Sequence, residues 1–192
     1  MIFKIPNILT IGRLILVPFL VFAFFLPGSL GNWLSFSIFV LASFTDFLDG
    51  FFARLLKQQS KLGELLDPIA DKIIVVTALV LLVSSKQIEG QEVIAAIIII
   101  SREILVSGLR EYLAKFRLKM PVSNMAKIKT FFQMFAISVL LTGSSGDKLL
   151  FNYGSEIGIA LLWFSACLLY TSDAADASLR VDLGGRRTIK KM

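Results

Sequence analysis

Four aspartates crowd the stretch DFLDGFFARLLKQQSKLGELLDPIAD: Asp46, Asp49, Asp67 and Asp71. The first two are three residues apart and the last two are four apart, so each pair falls on one face of a helix. A set of carboxylates without imidazole or thiolate is the ligand chemistry of a hard, oxygen-preferring divalent ion. Two such ions about 3.5–4 Å apart, sharing carboxylates, hold a phosphate oxygen and stabilise both the attacking and the leaving group. One acid at a helix end is ordinarily just solvated, and an Asp–Arg pair ordinarily fixes a fold. Four acids at this spacing, with small residues and an arginine between them, point to phosphate chemistry instead.

Gly50 and Ala53 lie between the acids and Arg54 on the same segment. Small residues leave room for a ligand or a neighbouring backbone. Arg54 is one helical turn from Gly50 and two from Asp46, within reach of a phosphate. Arg54 and Lys72 could also neutralise two of the four charges. The connection KQQSKLGE, with Gly63, reads as a short polar loop that turns the two acid pairs face to face.

The elements that must position these residues are apolar. The 192-residue chain is 56% hydrophobic, above the roughly 45–50% of soluble domains. Residues 14–27, 33–48, 73–83, 93–100, 131–142 and 157–170 are each nearly free of charge. With their flanks they read as six spans of about 17–25 residues, the length that crosses about 30 Å of hydrocarbon. The spans at 69–84 and 155–170 are the shortest. Pro6 and Asn7 read as the start of the first helix. A cleaved leader does not fit the first block, because Arg13 and Pro18 interrupt it and five apolar blocks follow.

An ionised aspartate costs about 2.5–3.5 kcal/mol at the centre of a span and less at the interface. The acids sit where the second span ends and the third begins, so the interface is their expected level. With the N-terminus inside, the inner segments hold ten basic residues: Lys4, Arg54, Lys57, Lys61, Arg110, Lys115, Arg117, Lys119, Lys127 and Lys129. The outer loops hold two, Lys86 and Lys148. This asymmetry predicts a cytoplasmic acid cluster, and the net charge of +6 suits anionic headgroups rather than nucleic acid.

The chain contains no histidine, which excludes Ser-His-Asp catalysis and imidazole ligation. Its one cysteine, Cys167, excludes an intrachain disulfide and reads as packing in the last apolar block. Residues 171–192 (TSDAADASLRVDLGGRRTIKKM) have no helical or strand periodicity. They read either as a disordered cytoplasmic tail or, by their similarity to translated adapter sequence at the end of a gene fragment, as a sequence artefact.

The order D-x2-D-G-x2-A-R-x8-G-x3-D-x3-D is met at all eight fixed positions, by Asp46, Asp49, Gly50, Ala53, Arg54, Gly63, Asp67 and Asp71. This pattern resembles the signature of the CDP-alcohol phosphotransferases. The segments IPNILTIGRLILVPF (5–19), SREILVSGLREYLAKF (101–116) and AKIKT (126–130) resemble the bacterial, glycerol-phosphate-using branch of that family. The resemblance covers residues 1–170 as one membrane domain and leaves out the tail.

The resemblance implies an all-α, polytopic membrane protein of six transmembrane helices around a cytoplasm-facing polar cavity, a homodimer in the bacterial inner (cytoplasmic) membrane. It implies transfer of a phosphatidyl group from CDP-diacylglycerol to sn-glycerol 3-phosphate, with release of CMP. It further implies two Mg²⁺ or Mn²⁺ ions on Asp46, Asp49, Asp67 and Asp71, with Asp71 as the base. Gly50, Arg54, Ser60 and Gly63, with Asn7 and Thr10 of the N-terminal segment, match positions bordering the cytidine nucleotide. Arg110 and Lys127 match positions used for the acceptor phosphate. Arg102 and Lys129 are further candidates from their charge, although Arg102–Glu103 also reads as a structural pair.

Other readings stay open at this level. The acceptor could be inositol phosphate, serine or another polar alcohol. Intramembrane prenyltransferases also use two aspartate-rich motifs with Mg²⁺, but without this glycine and arginine spacing. An ion transporter would spread its acids over several midplane positions rather than confine them to one hairpin.

Overall fold

Helix boundaries follow from turn chemistry as much as from apolarity. The computed structural model describes the backbone of residues 5–56, 61–115, 124–149 and 153–168, and the side chains of 10–45, 69–109, 112, 128–148 and 153–168. Within these the chain forms helices and no strand. They are α1 (Ile5–Phe24), α2 (Ser29–Leu56), α3 (Lys61–Ser84), α4 (Glu92–Lys115), α5 (Asn124–Leu141), the short α6 (Gly143–Leu149) and α7 (residues 154–168). Each apolar block of the sequence contributes to one of the longer helices.

Several boundaries differ from the sequence expectation. The first apolar block runs to Pro27, but α1 stops at Phe24 because Pro27 cannot continue a helix and Gly28 adopts φ 83°. The expected polar loop KQQSKLGE is shorter than read. Helix α3 already begins at Lys61, so Gly63 and Glu64 are helical; lysine, leucine and glutamate are good helix formers whatever their polarity. Residues 57–60 lie outside the described residues.

Helix α3 ends in a Schellman turn. The Gln87 N–H donates to the Leu82 carbonyl at 3.1 Å, and the Lys86 N–H donates to that of Val83 at 3.1 Å. Lys86 takes the left-handed conformation at φ 60°, where glycine is usual. Ile88 follows at 0% exposure and anchors the turn to the core.

Helix α1 packs against both α2 and α3, α5 packs against α2 and α3, and α4 packs against α3. The buried side of α1 is one stripe, Thr10, Arg13, Leu20 and Ala23, at helical spacing. It meets a core that includes Phe39, Ile74, Leu79, Ile99, Ile137 and Leu162. Hydroxyls inside this core bond back along their own helices: Ser35 Oγ donates to the Gly31 carbonyl and Ser138 Oγ to that of Met134, each at 2.8 Å. Gly158 brings α7 close to α5, since a Cβ there would stand 2.7 Å from Leu140 Cδ2. Phe132 and Phe164 meet edge to face across the same contact, with centroids 5.1 Å apart.

The outward surface is apolar as well. Phe19, Phe22, Phe25, Ile97, Leu105 and Phe131 are each more than half exposed. Cys167, expected as packing, is exposed on α7. Among the described residues no helix is long and apolar enough to cross a membrane.

Candidate active site

The signature divides between two helices. Asp46, Asp49, Gly50, Ala53 and Arg54 ride on the C-terminal half of α2, and Gly63, Asp67 and Asp71 on the first three turns of α3. The two helices pack against each other, and α1 packs against both. Only residues 57–60 separate them, so the end of α2 and the start of α3 are at most roughly 18 Å apart by chain reach.

The side chains of Asp46, Asp49, Gly50, Arg54, Gly63 and Asp67 lie outside the described residues, as do those of Asn7, Arg110 and Lys127 and all of Ser60. Among the described residues no group of three or more acids or sulfur ligands could hold a metal. The fit of a divalent ion therefore turns on the donor chemistry and on Asp71. The expected donors are all carboxylates, the acids are divided between two packed helices, and Asp71 is one-third exposed at its place in the bundle. That set fits a hard divalent ion.

Asp71 is not alone. Arg13 of α1, only 1% exposed, donates from Nη1 to Asp71 Oδ1, joining residues 58 apart in the chain. The stripe on α1 explains the contact, since Arg13 lies one turn beyond buried Thr10 and one face carries both into the bundle. In the sequence Arg13 reads only as an interruption of an apolar block, with Arg54 and Lys72 as the expected counter-charges. The available signal was an arginine three residues after Thr10 on the buried face of an apolar helix. Such a charge needs a polar partner inside the bundle, and an acid on another helix is one that can supply it.

A second charged cluster joins α4 and α5. Lys129, 2% exposed, donates from Nζ to Glu103 Oε1 at 2.5 Å. Arg102 Nη1 stands 4.0 Å from the same oxygen. The cation nearer Glu103 is thus Lys129 of the neighbouring helix rather than the adjacent Arg102. Of the four basic residues considered for an acceptor phosphate, these two are gathered around one carboxylate. Gln133 Oε1, one turn after Lys129 on α5, is buried with no hydrogen-bond partner among the described residues.

A polar cleft of about 530 Å³ lies elsewhere, lined by Asn32, Gln87, Glu89, Glu92, Asp147 and Ser155 among others. Asn32 precedes Asp46 by fourteen residues on α2, which is about 21 Å along the axis. The cleft is therefore at the end of α2 remote from the aspartates, and the signature chemistry does not belong to it.

The pattern has clear relatives. Residues 3–171 match the family model described as CDP-alcohol phosphatidyltransferase. A Rickettsia felis protein named CDP-diacylglycerol–glycerol-3-phosphate 3-phosphatidyltransferase is 42% identical over 165 residues, covering 86% of this chain and 88% of its own. A Haemophilus influenzae protein of the same name is 45% identical over 168 residues, covering 86% and 87%. One from Cereibacter sphaeroides is 34% identical over 200 residues, covering 87% and 90%.

Proposed function

The chain belongs to the CDP-alcohol phosphatidyltransferase family, and from that premise we propose that it transfers a phosphatidyl group from CDP-diacylglycerol to sn-glycerol 3-phosphate, giving phosphatidylglycerophosphate and CMP. The observation that carries this reading is the similarity to relatives of that name along 86% of the chain. The division of the signature between two packed helices supports it.

In this reading the acceptor hydroxyl oxygen attacks the phosphorus that bears diacylglycerol. The bond from that phosphorus to the oxygen of CMP breaks, and CMP leaves with the electron pair. The hydroxyl proton passes to Asp71. Asp46, Asp49, Asp67 and Asp71 would hold two Mg²⁺ or Mn²⁺ ions, which supply charge neutralisation at the leaving phosphate and a lowered pKa of the acceptor hydroxyl. Gly50 and Gly63 leave room for the cytidine nucleotide, with Arg54, Ser60, Asn7 and Thr10 along its edge. Arg110 and Lys127 take the acceptor phosphate. Lys129 and Arg102, the further candidates for that phosphate, both approach Glu103. The protein's own contribution is positioning and charge, the larger part of catalysis in transfers of this kind.

The chain crosses the bacterial cytoplasmic membrane in this reading, as a homodimer with its polar cavity open to the cytoplasm. The apolar outward residues of the bundle and the basic excess of the inner segments support that arrangement.

Purified protein incubated with CDP-diacylglycerol and sn-glycerol 3-phosphate is expected to release CMP only when Mg²⁺ or Mn²⁺ is present, and a chelator is expected to stop it. Turnover with inositol phosphate or serine but not glycerol 3-phosphate would move the acceptor assignment. Release that persists without divalent metal would contradict the two-ion mechanism.

A further inference from the structure

We propose that Arg13 is a positioning residue of the transfer reaction: it pins one carboxylate oxygen of Asp71 and so aims the other at the reacting groups. The inference rests on the function proposed above and adds a residue outside the aspartate signature and outside the nucleotide-bordering Asn7 and Thr10.

Three observations carry it. Arg13 is among the largest fully buried side chains among the described residues, and arginine is almost never fully buried unless paired. Its Nη1 donates to Asp71 Oδ1, so the pair bridges α1 and α3 at the residue read as the base. Asp71 is 33% exposed while Arg13 is 1% exposed, so a buried cation holds a carboxylate that stays partly accessible. A guanidinium is planar, with donors in a rigid fork, and a carboxylate held by it loses rotational freedom that a point charge would leave.

Charge and orientation then have opposite consequences. Arg13 adds a positive charge beside Asp71, one of the proposed metal-holding carboxylates, so removing it makes that carboxylate's surroundings more anionic and strengthens divalent binding. Removing it also frees Asp71 to rotate, which slows turnover. A contact that only fixed the fold would move both quantities the same way, together with thermal stability.

The test uses the full chain in nanodiscs, with Mn²⁺ titrated against the apoprotein by electron paramagnetic resonance and CMP release followed separately. Arg13→Lys is expected to bind Mn²⁺ within about twofold of the parent, because the charge is kept. Its kcat is expected to fall at least about tenfold with KM for CDP-diacylglycerol little changed, because the fork is lost. Arg13→Gln is expected to bind Mn²⁺ at least about threefold more tightly and to turn over more slowly still. Parental kcat in Arg13→Lys, or weaker Mn²⁺ binding in folded Arg13→Gln, overturns the proposal. If Arg13→Gln does not fold, Arg13→Lys decides alone; if neither folds, Arg13 serves the fold and the proposal is wrong. A parent chain that neither takes up Mn²⁺ nor releases CMP would instead remove the functional reading beneath it.

Discussion

At Asp71 two demands meet on one carboxylate, since its Oδ1 accepts from buried Arg13 while the proposed chemistry needs an oxygen for the acceptor proton. Asp71→Asn keeps the shape but removes the charge and the basicity. It is expected to abolish CMP release while CDP-diacylglycerol still binds, as measured by nucleotide release and by retention of labelled lipid. It should also lower the unfolding temperature by several degrees, because the buried guanidinium loses its carboxylate partner. Full turnover by this variant would refute the assignment of the base. The Lys129–Glu103 contact makes a separate demand. Lys129 is 2% exposed and Glu103 23%, so truncating either leaves a charge in a poor environment. Lys129→Met and Glu103→Gln are expected to destabilise singly by about 2–4 kcal/mol each and together by less than their sum, with a coupling of about 1–3 kcal/mol. Thermal unfolding of all four proteins in one detergent closes that cycle; strict additivity would show that the two side chains do not support each other.

At the level of helices, the apolar blocks were legible because a long uncharged run has few ways to satisfy its backbone other than helix. Both acid pairs were legible for a related reason, as helical spacing places their Cα atoms whatever surrounds them. Where α3 begins was not, since Lys61–Glu64 is polar and only propensity makes it helical. Nor was α6, whose GSSGDKL has neither apolar period nor strong propensity and opens on Gly143 at φ 49°. The Arg13–Asp71 and Lys129–Glu103 partnerships stayed hidden because they are tertiary; nothing local to residue 13 names residue 71. The α3 terminus offers an element-level test. Lys86 fills a left-handed position that costs a non-glycine residue about 1 kcal/mol. Lys86→Gly is expected to raise the midpoint of thermal unfolding, with a gain of up to about 1 kcal/mol offset partly by glycine's greater freedom in the unfolded chain. A clear loss of stability would mean that the side chain of Lys86, on the rim of the cleft beside Asn32 and Glu89, contributes more than the strain costs.

Over the whole molecule, apolar side chains face outward as well as inward, which water would penalise and lipid would not. Scattered exposed apolar residues are ordinary on soluble proteins, but these are large and continuous: Phe19 and Phe22 on α1 with Phe25 just past its end, and Ile94, Ile97 and Ile98 on α4. The same bilayer hypothesis fixes which end faces the cytoplasm. The segment between α2 and α3 adjoins Arg54, Lys57 and Lys61, while the segment between α3 and α4 holds Lys86 and Glu89 and leads into Glu92 of α4. Basic residues hold a loop on the side of synthesis, so the two segments should lie on opposite faces of the membrane with the aspartates near the inner one. Exposed Cys167 would confuse labelling and is replaced first by serine. In that background, an impermeant maleimide applied to cells with a permeabilised outer membrane is expected to modify Glu89→Cys. It should spare Gln58→Cys until the inner membrane is opened. Reversed labelling would invert the orientation and take the aspartates away from a cytoplasmic acceptor. Equal labelling of both sites in sealed cells would mean that α3 does not separate two compartments, and the bilayer hypothesis would fail while the family assignment stood.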